Sequence, residues 1–297
     1  MVKRIPVIDL KCFPQQSSAL LKGCEEFGCF RLINHGMPSK SMSEMKSTVR
    51  CLLDQPLEIK KQNIDAINGS GYMAPNAINP LYEALGLYDA PSPQAIQAFC
   101  DQLQASDPQR DTIQSYSHKI YEVAMDVASK MAESLGLEAD LFNGWACQFR
   151  INKYLFSEEK LGETGVCIHT DSGFLTVLQD DERVSGLEVM SKNGEFVEVE
   201  PLPGSLIVIL GDMAQVWSNG RFLNVKHKVM CKEATVRVSI AFFLLGPKGG
   251  TTMEVHTKLI DREHPRLYRP MSYEEYRNMR LSTGDRDGDA LALYLCT

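Results

Sequence analysis

His169 and Asp171 stand two residues apart in the run GVCIHTDSGFLTVLQ, residues 165–179. Side chains alternate across a strand, so on an extended chain these two point to one face, with Ile168 and Thr170 on the other. Taking a carboxylate out of water is costly unless something compensates it. A divalent metal would. A neutral imidazole and a carboxylate supply two ligands of the 2-His-1-carboxylate triad, which leaves open positions on non-haem Fe(II). The dipeptide alone is a weak signal, because most His-x-Asp pairs are exposed or hydrogen-bonded to each other. Three histidines lie downstream, His227, His256 and His264. His227 sits in NVKHKVM, a run of strand character. The other two fall among polar and proline-containing segments that read as surface or turn. His227 is therefore the favoured third ligand.

Ten residues beyond His227 comes Arg237, in VRVSIAFF. By strand parity Arg237, Ser239, Ala241 and Phe243 share a face. A guanidinium fork beside a hydroxyl, set among Val, Ile and Phe, matches the carboxylate of a small ligand. FRINKYLF repeats the pattern, with Arg150, Asn152 and Tyr154 on one face. Each piece taken singly could be an edge strand with polar side chains in water. Together, and in this order, they point to a metal with an anionic ligand beside it. Cys167 shares the face of His169 and reads as a packed, neutral thiol. GPKGGTT lacks the spacing of a phosphate-binding loop.

The elements that must position these residues change character along the chain. After an opening strand, IPVIDL, residues 1–145 read as mainly helical. A helix is predicted over Pro38 to Asp54, opened by a capping serine, with Met42, Met45, Val49 and Leu52 at helical spacing. A long amphipathic helix is predicted from about Arg110 to Leu135, on the series Ile113, Tyr116, Ile120, Val123, Val127, Met131 and Leu135, with Gly136 as its stop. From Gln148 short β-rich runs follow one another: FRINKYLF, GVCIHT, FLTVLQ, GLEVM, EFVEVEP, SLIVILGD, VKHKVM and VRVSIAFFLL. KNGE, PLPG and SNGR separate some of them as turns. Strands so closely spaced indicate a jelly roll or barrel. MSYEEYRNMRL closes the chain as a helix with a capping box from Ser272 to Glu275.

The chain has 297 residues, with 38 acidic against 31 basic side chains, a balance that argues against an electrostatic hold on nucleic acid or an anionic membrane. No stretch reaches the roughly 18 apolar residues of a membrane span, and the N-terminus has no signal-peptide pattern. Nine cysteines without a C-x-x-C pair suit reduced thiols in the cytoplasm rather than a disulfide framework or a zinc site.

His169-x-Asp171, His227 and Arg237-x-Ser239 resemble the signature of the plant-type 2-oxoglutarate/Fe(II)-dependent dioxygenases. The resemblance extends to IPVIDL, FGCFRLINHG, Asn152-x-Tyr154, PLPGSLIVILGDMAQVWSNGR and EHPRLYRP. Within that family, GSGYMAPNAINPLYEALGLYD (69–89), HTDSGFLTVLQDD and FLLGP most resemble the auxin-oxidising (DAO) subfamily. The resemblance implies an α+β fold: a double-stranded β-helix, or jelly roll, wrapped by N-terminal and C-terminal helices. Residues 1–145 would pack on a core of 146–250, followed by a C-terminal extension of 251–297, in one functional unit. It implies Fe(II) on His169, Asp171 and His227. Arg237 and Ser239 would hold the distal carboxylate of 2-oxoglutarate, with Tyr154 assisting and Asn152 near its metal-bound end. His35, in NHGM, would be structural. O2 would be the other cosubstrate and ascorbate a supporting reductant. An Fe(IV)-oxo species would then oxidise a small-molecule substrate, indole-3-acetic acid, to 2-oxindole-3-acetic acid. Phe243, by the same resemblance, would line the substrate pocket, and the segment 69–89 offers Tyr72, Pro75, Asn76, Tyr82 and Tyr88 to cover a planar ligand. That segment contains no Lys or Arg for the substrate's own carboxylate. The alternatives are an oxygenase acting on another small plant acid or specialised metabolite and, from a different class, a jelly-roll sensor without turnover.

Overall fold

Two β-sheets face each other across the interior of the computed structural model, which describes residues 4–296. The strands are β1 (Val7–Asp9), β2 (Cys29–Ile33), β3 (Tyr82–Tyr88), β4 (Trp145–Leu155), β5 (Thr164–His169), β6 (Leu175–Gln179), β7 (Leu187–Met190), β8 (Phe196–Glu198), β9 (Leu206–Leu210), β10 (His227–Met230), β11 (Val236–Pro247), β12 (Thr252–Met253) and β13 (Met271–Ser272). The larger sheet has seven strands in the order β1-β2-β9-β6-β11-β4-β3, and the smaller has four, β5-β10-β7-β8. This is a jelly roll. Each of the eight β-rich runs read from the sequence carries one of the strands β4 to β11.

The helices are α1 (Ser17–Lys22), α2 (Ser39–Leu53), α3 (Leu57–Lys60), α4 (Pro93–Gln102), α5 (Asp107–Ser134), α6 (Asp212–Trp217) and α7 (Tyr273–Thr283). The larger sheet is buried on both faces, and the strand period of two sorts its side chains between them. Phe149, Ile151, Val177, Val208, Ile240 and Phe242 pack with Met45, Val49, Ile120 and Val127 of α2 and α5. On the other face Tyr82, Tyr154, Leu178, Ile209 and Ala241 meet Leu187, Val189 and Val229 of the smaller sheet. The helices therefore stiffen the sheet from outside, while its inner face is free to carry chemistry. No helix among the described residues is long and apolar enough to cross a membrane.

Three details depart from the sequence reading. Ser39 is the first residue of α2 and not its cap; Pro38 occupies the cap without a side-chain bond. The long helix starts earlier, at Asp107, because Ser106 and Gln109 close a reciprocal capping box; Gly136, at φ 73°, follows its end. The segment 1–145, read as helical after one strand, also contributes β2 and β3 to the larger sheet. YEALGLY has little strand propensity of its own. Its ladder along β4, from Tyr82 opposite Tyr154 to Tyr88 opposite Gln148, decides its state. Gly86 is required there, since a Cβ would lie 1.7 Å from the carbonyl oxygen of Ser70.

The C-terminal helix is clasped to the sheets by charge. Asp212, at the start of α6, is 0% exposed and pairs with Arg280 of α7. Tyr276 donates its hydroxyl to Asp212 at 2.6 Å and Asn224 donates its amide at 2.7 Å. Arg280 also donates to the Thr170 carbonyl at 3.2 Å, next to Asp171. Removing one partner of a buried pair leaves an uncompensated charge, which typically costs about 3–5 kcal/mol. Arg280→Met is expected to lower unfolding free energy by about that amount in urea denaturation. The double variant Asp212→Asn/Arg280→Met should recover part of the loss. An unchanged midpoint in Arg280→Met would show that the pair carries no stability.

Candidate metal and carboxylate site

Antiparallel pairing of β10 with β5 sets His227 opposite His169. The ring centroids lie 4.2 Å apart. The Nδ1 atom of His169 is 2.8 Å from the Cys167 carbonyl oxygen, and that of His227 is 3.2 Å from the Val225 carbonyl oxygen. A backbone acceptor at Nδ1 places the proton there and turns the Nε2 lone pair inward. Both Nε2 atoms sit 3.8 Å from Asp171 Oδ1, and the three ligand atoms all lie within 4.8 Å of one another. That is too far for hydrogen bonds and the right convergence for a shared cation. Burial, reinforced by the neighbouring His227, pushes His169 down to about 4, so its imidazole is neutral at neutral pH. Two imidazoles and one carboxylate suit Fe(II) with positions left open.

Asp171 reaches this point differently from the sequence reading. β5 ends at His169, and Asp171 lies in the turn that follows. The Thr170 amide donates to the Arg286 carbonyl at 2.7 Å, outside the strand ladder, so strand parity does not place Asp171. Its other oxygen accepts from the Thr176 hydroxyl of β6. Cys167 turns its thiol to the Ile78 carbonyl at 3.2 Å. His35 bridges two turns, with Nε2 at 3.0 Å from the Gly204 carbonyl oxygen.

Beyond the triad, β11 and β4 run antiparallel with Arg237 opposite Tyr154 and Ser239 opposite Asn152. Arg237 is 1% exposed and pairs with Asp180, whose carboxyl is pushed up by burial. Its Nε and Nη1 atoms have no hydrogen-bond partner among the described residues. The Tyr154 ring lies under the guanidinium, 4.8 Å from its carbon. Asn152 accepts from the Tyr82 hydroxyl at 2.9 Å and donates to Ser239 at 3.2 Å. Orphaned donors on a buried cation match a ligand carboxylate. They line an inner chamber of about 100 Å³ with the triad, Leu178, Leu187, Ile209 and Val229.

A wider cleft of about 350 Å³ opens from His169 and Asp171, lined by Tyr82, Arg150, Phe243, Leu245, Tyr273, Arg277 and Arg286 among others. Of the residues expected to cover a substrate, Phe243 and Tyr82 border it. Tyr72, Pro75 and Asn76 do not. Tyr72 is held away by its hydroxyl bond to Glu83 at 3.0 Å. Pro75 and Asn76 are exposed, and Asn76 is used in a turn, accepting from the amides of Ile78 and Asn79 at 3.0 Å each. Tyr88 lies on a separate hollow. The sequence reading passed over Asp180, Thr176, Arg277 and Arg286. The helical spacing of Tyr273, Arg277 and Arg280 was the available signal for one face of α7.

Partners that orient a metal ligand are typically worth 10–100-fold in affinity, so Thr176→Val should weaken divalent-metal binding by about that factor. Titration with Fe(II) under nitrogen measures it, and wild-type affinity would remove Thr176 from the site.

The profile of the 2OG-Fe(II) oxygenase superfamily matches residues 145–246, and that of the N-terminal region of a non-haem dioxygenase in morphine synthesis matches residues 5–81. The chain is 50% identical over 294 residues to the rice (Oryza sativa) 2-oxoglutarate-dependent dioxygenase DAO, covering 97% of this chain and 98% of that protein. The crystal structure of the rice dioxygenase for auxin oxidation superposes with a TM-score of 0.92 at 48% identity, covering 99% of this chain and 100% of the other. The Arabidopsis thaliana dioxygenase for auxin oxidation 1, in a binary complex with 2-oxoglutarate, superposes at 0.85 with 54% identity, covering 88% of this chain and 100% of the other. The two imidazoles, the carboxylate and the orphaned guanidinium thus sit in a chain that belongs to the 2-oxoglutarate/Fe(II)-dependent dioxygenases.

Proposed function

We propose that this dioxygenase oxidises indole-3-acetic acid to 2-oxindole-3-acetic acid, with Fe(II) on His169, Asp171 and His227. The observation that carries the substrate is the similarity to the rice DAO enzyme across nearly the whole of both chains. Similarity to an Ocimum basilicum flavonoid 7-O-demethylase is weaker, at 30% identity. Nine unpaired thiols suit a reducing compartment, and we place the activity in the cytoplasm.

Fe(II) and 2-oxoglutarate held there would supply the activation of O2 for oxidation of the substrate, coupled to oxidative decarboxylation of 2-oxoglutarate to succinate. The residues of this chain bind and orient. Arg237 offers its two orphaned nitrogens to the distal carboxylate of 2-oxoglutarate, with the Ser239 hydroxyl beside them. Tyr154 supports the guanidinium from below, and Asn152 holds Ser239 and Tyr82 in register. Leu178, Leu187, Ile209 and Val229 exclude water from the inner chamber. The Phe243 and Tyr82 rings, at the mouth, present flat surface to an indole.

Two outcomes are expected. Indole-3-acetic acid should stimulate succinate formation and be consumed with it. Replacing His169, Asp171 or His227 by Ala should abolish this turnover without loss of the folded circular-dichroism spectrum. Mass spectrometry that finds no oxygenated product, while another small acid turns over, would overturn the substrate. The second concerns Arg237. Arg237→Lys keeps the charge and loses the fork, so it should raise the 2-oxoglutarate KM more than Ser239→Ala does. Arg237→Ala should cost about 2–5 kcal/mol of cosubstrate binding. Unchanged 2-oxoglutarate affinity in Arg237→Ala would remove this role.

A further inference from the structure

The cleft outside the triad carries unneutralised positive charge. Of the two carboxylates that line it, Asp171 belongs to the metal triad and Asp285 pairs with Arg280. Arg280 is paired with Asp212 as well. No ion pair engages Arg150, Arg277 or Arg286 among the described residues. Arg150 is held in the wall by neutral acceptors, the backbone carbonyls of Gly69 and Gly71, which use only part of its five N–H donors. Burial bears most against its charge and the neighbouring Arg277 adds to it, while Tyr82 and the Asp65 carboxylate act the other way. Two guanidinium groups brought together without an anion repel each other, and a ligand carboxylate reverses that repulsion.

We infer that Arg150 and Arg277 form a second carboxylate clamp, which holds the acid group of the substrate in the cleft outside the inner chamber, with Arg286 at the rim. This rests on the reading of the substrate as a small aromatic acid and names what recognises it. The distal carboxylate of 2-oxoglutarate is a separate claim on a separate cation. Arg237 lines the inner chamber and not the cleft, whereas Arg277 and Arg286 line the cleft and not the chamber. Arg150, Tyr82 and Phe243 border both. A ligand anchored on the two arginines therefore lays its ring along Phe243 and Tyr82 and presents it to the triad. The clamp is assembled from distant parts of the chain, β4 for Arg150 and α7 for Arg277.

The test is anaerobic titration calorimetry of protein loaded with Fe(II) and 2-oxoglutarate, using indole-3-acetic acid and its neutral isostere indole-3-acetamide. Wild-type protein should bind the acid at least about tenfold more tightly than the amide. Arg277→Gln, on a half-buried helix position, should collapse that preference towards equality, and Arg277→Lys should restore part of it. Arg150→Gln should do the same if its loop contacts survive; Arg277→Gln decides the matter if they do not. A wild-type protein indifferent to the acid's charge overturns the clamp, as does an Arg277→Gln variant that keeps the preference. Equal weakening of acid, amide and 2-oxoglutarate also overturns it, because that pattern belongs to packing. Should indole-3-acetic acid fail to bind, the same acid-against-amide comparison is run with phenylacetic and jasmonic acids. Discrimination there sinks the auxin reading and sustains the clamp; its absence for every pair sinks the clamp.

Discussion

Arg237 and Asp180 share a site that excludes water, and the arrangement of the inner face follows from that pairing. A buried ion costs several kcal/mol in desolvation, repaid only by close partners. Asp180 provides one, the Tyr154 ring another, and two donors remain without either. The guanidinium is thus stable enough to fold around and still short of one anion. The larger sheet must hold it rigidly, since a mobile arginine would satisfy its own donors elsewhere. Ladders to β6 and β4 on either side of β11 provide that rigidity.

The same logic runs through the metal end. Asp171 would be an expensive buried carboxylate between two imidazoles. The Thr176 hydroxyl takes one oxygen, and the other faces both Nε2 atoms at distances that invite a cation. Backbone carbonyls of Cys167 and Val225 set both tautomers. The protein thereby prepares the ligands without neutralising them.

The helix α7 joins stability to specificity. Arg280 closes a buried pair with Asp212 and reaches the carbonyl of Thr170, next to the metal-binding turn. Arg277, three residues earlier on the helix, lines the cleft and has no carboxylate partner among the described residues. One arginine anchors the helix, and the anchored helix positions the other. A change in the clasp is therefore felt at the mouth of the site.

The residue types alone determined much of this protein. Alternation in VRVSIAFF put Arg237, Ser239 and Phe243 on one face, because strand periodicity is local and survives in any sheet. The eight β-rich runs were legible for the same reason, and the helix of Met131 and its neighbours from its spacing. Strand parity grouped His169 with Asp171 for the wrong reason, since the strand stops at His169 and a turn brings the carboxylate in. The tyrosines and amides of 69–89 looked like a ligand cover, yet of Tyr72, Pro75, Asn76, Tyr82 and Tyr88 only Tyr82 reaches the cleft, because Tyr72 is tied to Glu83 and Asn76 is used in a turn. What tertiary structure decided were the neighbours: Asp180 for Arg237, Thr176 for Asp171, and one cleft lined by both Arg150 and Arg277. Those choices depend on which distant segments share a desolvated space. Local sequence specifies the faces of each element, and only the packing of elements specifies which charges meet there.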